Sequence, residues 1–207
     1  MHKMKILVAC EFSATVRDAF RALGHDAWSC DLLPTEGDPA FHIQGNALDL
    51  IGDFGGWEML IAHPPCTYLA NSGVRWLYGG KGTVREPVRW SQMEDAARFF
   101  KKLMDAPIDR IAIENPIMHA YGVEIVGRRH DQTIQPWQHG HGETKATCLW
   151  LKGLPPLVPS NIVDGRQPRV HFASPGPDRW KERSRTMTGI AAAMAGQWGG
   201  RKIAEVA

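Results

Sequence analysis

A thiol and a carboxyl stand in matching positions in this sequence. Cys66 follows His63-Pro64-Pro65, and Glu114 opens Glu114-Asn115-Pro116. Each closes a short apolar run, Trp57 to Ala62 before the first and Arg110 to Ile113 before the second, and proline then forbids further regular pairing. Such a pair suits attack on an electron-poor pyrimidine. Carbon 5 of cytosine does not take a methyl group directly, but a thiolate added to carbon 6, with a protonated carboxyl supporting ring nitrogen 3, builds negative character at carbon 5 that an electrophilic methyl can accept. Removing the carbon 5 proton and expelling the thiol restore the ring. Cys66 is then the nucleophile and Glu114 the acid or hydrogen-bond donor, its pKa raised by enclosure in a cleft. A buried, inert cysteine is the competing reading for Cys66 taken alone; the matching glutamate argues against it.

For both groups to meet one substrate, their strands must be neighbours in an open α/β sheet, whose carboxyl edge is where ligands bind. The chain opens on another apolar run, Lys5 to Cys10, followed by Glu11-Phe12-Ser13. Ser13 is placed to cap a helix whose Val16, Ala19, Phe20 and Leu23 recur at helical spacing, and Gly24-His25 ends it. Ala27 to Cys30 then reads as a second strand ending in Asp31. In this βαβ layout a carboxylate grips ribose hydroxyls while the first turn holds the rest of an adenosyl cofactor. The turn contains no glycine. That disfavours a pyrophosphate and leaves a cofactor without phosphates. Residues 32 to 47 form a loop with at most a short strand at Phe41-His42-Ile43, and Asp49 either contacts the adenine side of the cleft or caps the next turn.

After Cys66 comes a loop with Asn71, Ser72, Gly73, Arg75, Trp76, Gly79, Gly80, Lys81 and Gly82, suited to closing over a substrate or touching a phosphate backbone. An amphipathic helix from Trp90 to Met104, with Ser91 as cap, carries the chain across to the Glu114 strand. Ala146 to Leu151 is a further strand. Before it, His139-Gly140-His141 with Cys148 reads as a polar substrate-facing loop, zinc binding being disfavoured without a fourth ligand at a familiar spacing. Residues 153 to 183 form a basic, irregular insert with Arg166, Arg169, His171, Arg179, Lys181 and Arg183, either a substrate-recognition surface or a solvated loop. Ser184 or Thr188 starts a last helix, with Ile190, Ala193, Met194 and Trp198 on one side, that covers the sheet beside the first strand.

The 207 residues suit one domain, and the net charge of +2 neither calls for nucleic acid nor excludes it. Four scattered cysteines without a CxxC pair, and no apolar span of membrane length, imply free thiols in a cytoplasmic setting and no membrane partner. The eight tryptophans serve the core or stack on bases.

The stretches ACEFSATVRDAF, WSCDLL, NALDL, IAHPPCTYLANSG, IENP and RSRTMTGIAAAM follow the order of motifs in the DNA cytosine carbon-5 methyltransferases, which the chain resembles over nearly its whole length. It is still more similar to compact phage and prophage proteins described as methyltransferase-like. The resemblance implies a single catalytic domain over residues 1 to 207, built as a class I, Rossmann-like, doubly wound and mostly parallel α/β sheet. It implies S-adenosylmethionine as cofactor, Cys66 as attacking thiol, Glu114 as its partner at the base, and DNA or a free cytosine nucleotide as substrate. Asp31 would hold the ribose, Phe12 and Ser13 the first turn past methionine, Asp49 the adenine side, and Pro64 the flank of the transferred methyl. Several positions differ from the family. Ser13, Ala14 and Thr15 replace a glycine-rich turn, Thr67 replaces a glutamine, His63 replaces a glycine, and no Gln-x-Arg-x-Arg strand is present to contact the base oxygen. The large target-recognition domain is reduced to the basic stretch after Leu151.

Two other functions fit the same residues. An exocyclic-amine methyltransferase would use the His63-Pro64-Pro65 turn and Tyr68 without covalent catalysis, and would leave Glu114 unused. A non-catalytic nucleic-acid-binding or inhibitory protein would keep the fold and lose the cofactor.

Overall fold

Runs of apolar residues with no polar alternation mark strands buried on both faces, and three of them form the middle of the sheet. In the computed structural model, which describes residues 2–52, 55–79, 82–169, 172, 176 and 179–200, these are β1 (Lys5–Ala9), β4 (Met59–Ala62) and β7 (Arg110–Asn115). Gly80, Lys81 and His171, assigned from sequence to substrate-facing segments, lie outside the described residues. The other strands are β2 (Asp26–Asp31), β3 (His42–Gln44), the short hairpin β5 (Tyr78–Gly79) and β6 (Val84–Arg85), β8 (Gln132–Ile134) and β9 (Thr147–Lys152). Five α-helices accompany them among the described residues: α1 (Thr15–Ala22), α2 (Pro87–Met104), α3 (Ala120–Val126), α4 (Arg179–Ser184) and α5 (Thr188–Met194).

Seven strands form one sheet in the order β3-β2-β1-β4-β7-β9-β8, with β5 and β6 pairing separately. Neighbours from β3 to β7 are parallel, and β9 runs antiparallel to both β7 and β8. This is a mostly parallel, Rossmann-like, doubly wound sheet, as the motif order implied. The strand order reverses between β1 and β4, so the crevice at their carboxyl ends is the place for a ligand.

Alternate residues of each central strand feed two cores. Leu7, Leu60, Ile111 and Ile113 pack with Met93, Ala97, Phe100 and Leu103 of α2. Ile6, Val8, Met59, Ile61 and Ala112 pack with Val16 and Phe20 of α1 and with Ile190, Ala191 and Met194 of α5. The last helix therefore covers the sheet beside β1, as its apolar side required.

Three local expectations change. Ser13 does not cap α1: the N-cap is Ala14, in the left-handed region at φ 62° and without a side-chain hydrogen bond. The buried Glu11 carboxylate does the capping, accepting the backbone N–H of Val16 at 2.6 Å and of Arg17 at 3.2 Å. Ser91 does not start α2, because Pro87 stands in its first turn, where a missing N–H costs nothing. The stretch from 153 to 183 is not irregular throughout. Its end enters α4, and its earlier part lies along residues 137 to 144, with Thr144 N–H donating to Gln167 O (3.2 Å) and Gly140 N–H to Asn161 O (2.7 Å).

Candidate active site

Parallel pairing of β4 with β7 puts Ala62 opposite Ile113, so His63 and Glu114 are the next residues in register and share a sheet face. Their side chains meet, His63 Nδ1 lying 3.1 Å from Glu114 Oε2, and are only 8% and 11% exposed. Burial pushes the Glu114 carboxyl up, but the His63 hydrogen bond and the charges of Lys145 and His63 together outweigh it, and the group is held below its ordinary value. The expected rise on enclosure therefore does not occur, because a histidine and a lysine, distant in sequence, converge on this carboxyl. Glu114, Lys145 and Thr147 line a small cleft that the segment Thr186-Met187 and Ile190 of α5 close from above.

Past His63, the Pro64-Pro65-Cys66 loop is clamped to the loop that follows β7. The buried Asn115 donates from Nδ2 to Pro64 O at 2.8 Å. Asn71 N–H donates to Ile117 O (2.7 Å), His119 N–H donates to Leu69 O (3.0 Å), and Ala70 bridges Met118. The His119 ring adds a bond of 2.8 Å between Nε2 and Tyr68 O while Nδ1 accepts Gly122 N–H at the start of α3. Cys66 O accepts from Leu69 and Ala70 N–H, which closes the turn after the thiol. His119, unremarked in sequence, is thus a tie between the two loops.

All four cysteines are free thiols, and of these Cys66 alone is exposed. Cys10 is pushed up to about 12 and Cys30 to about 11, in both by burial first and then by the Asp31 charge, so neither ionises near neutrality. The Cys66 thiol is also raised, by desolvation within its loop and then by Glu114. Lys145 and Arg183 pull the other way. Cys66 thus lies in electrostatic range of Glu114, Lys145 and Arg183, and Glu114 in range of His63 and Lys145.

Phe12, Ser13, Asp31, Asp49 and Pro64 lie along the adjoining edge, at the carboxyl ends of β1, β2 and β4. Phe12 is buried beside Trp180 of α4, ring centroids 5.9 Å apart, and its carbonyl accepts from Thr35 Oγ1 (3.0 Å) and Glu36 N–H (2.8 Å). Ser13 is half-buried, its hydroxyl 3.5 Å from Glu11 Oε1. Asp31 is half-buried, uses Oδ1 to accept Leu33 N–H at 2.9 Å, and acts with Asp49 on the Cys30 thiol. Asp49 is exposed; its backbone N–H donates to Asn46 O (3.1 Å), and its carboxylate makes no hydrogen bond among the described residues. Pro64 is buried. Beneath this edge the fully buried Arg17 donates from Nη1 to Ser29 Oγ (3.2 Å), Asp38 O (3.0 Å) and Phe41 O (3.4 Å).

These residues fit an adenosyl cofactor. Cys10 at φ 58° and Ala14 at φ 62° take, without glycine, the left-handed backbone that a glycine-rich turn would supply. Two carboxylates border the end of β2, and Asp49 has its oxygens free for a ligand. Gly37 seats the neighbouring loop on the turn: a Cβ there would stand 2.6 Å from Ala14 Cβ and 2.6 Å from Arg17 Nη2. Gly37→Ala is accordingly expected to cost about 1–3 kcal/mol of stability, measured by urea unfolding; an unchanged midpoint would show that the loop does not need this close approach.

The His139-Gly140-His141 loop is structural. The buried His139 has Nδ1 3.0 Å from Ser160 Oγ, and His141 Nε2 accepts Gly189 N–H at 3.0 Å at the start of α5. Among the described residues, no three His, Cys, Asp or Glu side chains gather as a metal site. None of the described helices is long and apolar enough to cross a membrane.

No protein-family model and no curated protein matches the chain. Among solved structures it is similar to the Entamoeba histolytica methyltransferase EhMeth, at 12% identity and a TM-score of 0.49, over 85% of this chain and 61% of that one. It spans about three fifths of that protein's length.

Proposed function

We propose that this chain is an S-adenosylmethionine-dependent methyltransferase acting on carbon 5 of cytosine in DNA, with Cys66 as nucleophile. One observation carries the reading: the single exposed thiol sits on a loop clamped by Asn115 to the strand end that presents Glu114. A bulky buried thiol would serve packing; an exposed one, held in place and within range of a carboxyl and two cations, suits addition to a ring.

The Phe12-Ser13 turn, Asp31 and Asp49 would hold the cofactor, which would supply an electrophilic methyl when bound. Lys145 and Arg183 favour the Cys66 thiolate against the burial and the Glu114 charge that oppose it. Clamping of Pro64 fixes the angle at which Sγ meets carbon 6, so little order is left to impose when the base arrives. Glu114 supports ring nitrogen 3, which lets carbon 5 gain electron density as the thioether forms. Exposed Arg75 and Trp76, the guanidinium 4.6 Å from the ring, lie on the loop after Cys66 and suit a phosphate and a base face.

Trapping tests this reading. Fluorine at carbon 5 cannot leave as a proton does, so incubation with labelled S-adenosylmethionine and 5-fluorocytosine DNA, duplex or single-stranded, is expected to leave a methylated covalent adduct on the peptide containing Cys66. Methyl transfer to the exocyclic amine with no adduct would replace it with the amine mechanism. Failure to bind cofactor at all would leave a non-catalytic protein on the same fold.

A further inference from the structure

His63 has no counterpart in the family that the sequence resembles, where a glycine is usual, and the structure gives its imidazole a specific partner. Nδ1 lies 3.1 Å from Glu114 Oε2, with both side chains about nine-tenths buried, and Nε2 is buried without any hydrogen-bond partner. An ionised carboxylate only accepts, so the hydrogen between the two sits on Nδ1. With Glu114 held below its ordinary value, a ring N–H stands beside the carboxyl expected to give a proton to the base. Glu11, in the turn after β1, adds a second carboxyl on which the His63 charge acts.

We propose that His63 is a positioning residue that holds Glu114 by Oε2 and keeps, as an imidazolium, the proton that Glu114 hands to ring nitrogen 3; this rests on the carbon-5 reading above. As Sγ of the Cys66 thiolate bonds to carbon 6, the π pair between carbons 5 and 6 moves between carbons 4 and 5. The π pair between carbon 4 and nitrogen 3 becomes a lone pair on nitrogen 3. The ionised Glu114 takes the Nδ1 proton and passes it to that lone pair, and His63 is left as a neutral imidazole with its hydrogen on Nε2. After methyl transfer a water molecule takes the carbon 5 proton, the carbon 6–sulfur pair leaves with Cys66, and the nitrogen 3 proton returns through Glu114 to His63. The groups that bear on this proton are Glu114 on β7, Glu11 after β1, Lys145 before β9, and Cys66 on the same loop as His63.

The test is single-turnover methyl transfer to cytosine DNA across about pH 5 to 9, for the wild type and His63→Asn, whose amide keeps an N–H donor where Nδ1 stands but holds no ionisable proton. The wild-type rate is expected to pass through a maximum, climbing as the thiol ionises and falling as the pair loses its proton. His63→Asn is expected to be slower by about 10²-fold at that maximum, with its alkaline fall moved to lower pH and KM for DNA unchanged. Superimposable profiles, or a loss equal at every pH, would overturn the proposal. If the variant does not fold, nitrogen NMR of the wild type decides: both ring nitrogens of His63 protonated at the pH of maximal rate supports it, and a neutral ring overturns it. Trapping with 5-fluorocytosine run alongside separates the failures, since an adduct with unchanged profiles sinks only the role of His63, whereas no adduct sinks the carbon-5 reading itself.

Discussion

Cys66→Ala is expected to lower methyl transfer by on the order of 10⁴-fold or more, while cofactor binding and folding stay near wild type. The two halves follow from different features. The thiol forms the bond without which carbon 5 stays unreactive, so no neighbouring group can substitute for it. Cys66 is also exposed, and losing its side chain leaves no cavity, so a stability change within about 0.5 kcal/mol is expected. The chain's other thiols offer no replacement, because burial keeps Cys10, Cys30 and Cys148 protonated, with the Asp31 charge adding to it at the first two. Rates with labelled cofactor and calorimetric binding to the same variant check both halves. Activity retained in Cys66→Ala would exclude covalent catalysis, and loss of cofactor binding would mean that the alanine had disturbed the fold of the crevice.

The largest effect on stability is expected at Arg17. Its side chain is fully buried, its Nη1 joins Ser29 of β2 to the carbonyls of Asp38 and Phe41, and its Nε donates to Asp18 at 2.8 Å. Arg17→Met fills similar space but leaves two carbonyls and a hydroxyl without that donor, a cost of roughly 2–4 kcal/mol. Asp18 adds little to that figure, since its half-exposed carboxylate returns to water when the pair is broken. The loop that Arg17 holds also carries Glu36, whose N–H caps Phe12 O, so weaker cofactor binding is expected as well. Urea unfolding and cofactor titration read the two effects. A loss below about 1 kcal/mol would mean that water reaches these carbonyls and that the guanidinium is not the tie it is taken to be.

The strands and their ends were legible in the sequence because they are local. A run such as Lys5 to Ala9 or Met59 to Ala62 can be buried only on both faces, and a proline pair or an Asn-Pro step ends it wherever it packs. Motif order then placed Cys66 and Glu114 on neighbouring strands, and the sheet has β4 beside β7. The final helix was readable for the same reason, since its apolar side needed a sheet face to pack on, and it found one beside β1 next to α1.

What the sequence did not reveal were the interactions between distant residues. Glu11 reads as one more polar residue after a strand, yet it caps α1 because Ala14 turns left-handed and brings Val16 and Arg17 N–H round to it. Arg17 is not among the apolar residues of that helix, yet the loop from Glu36 to Phe41 folds over it. Glu114 was expected to hold a proton because enclosure alone raises a carboxyl; its ionisation was decided by His63, 51 residues away, and by Lys145. Residue type and spacing thus determined which groups stand at the crevice. Their charge states were decided only by the tertiary structure, because electrostatic energy depends on distances of a few ångströms between side chains far apart in the chain.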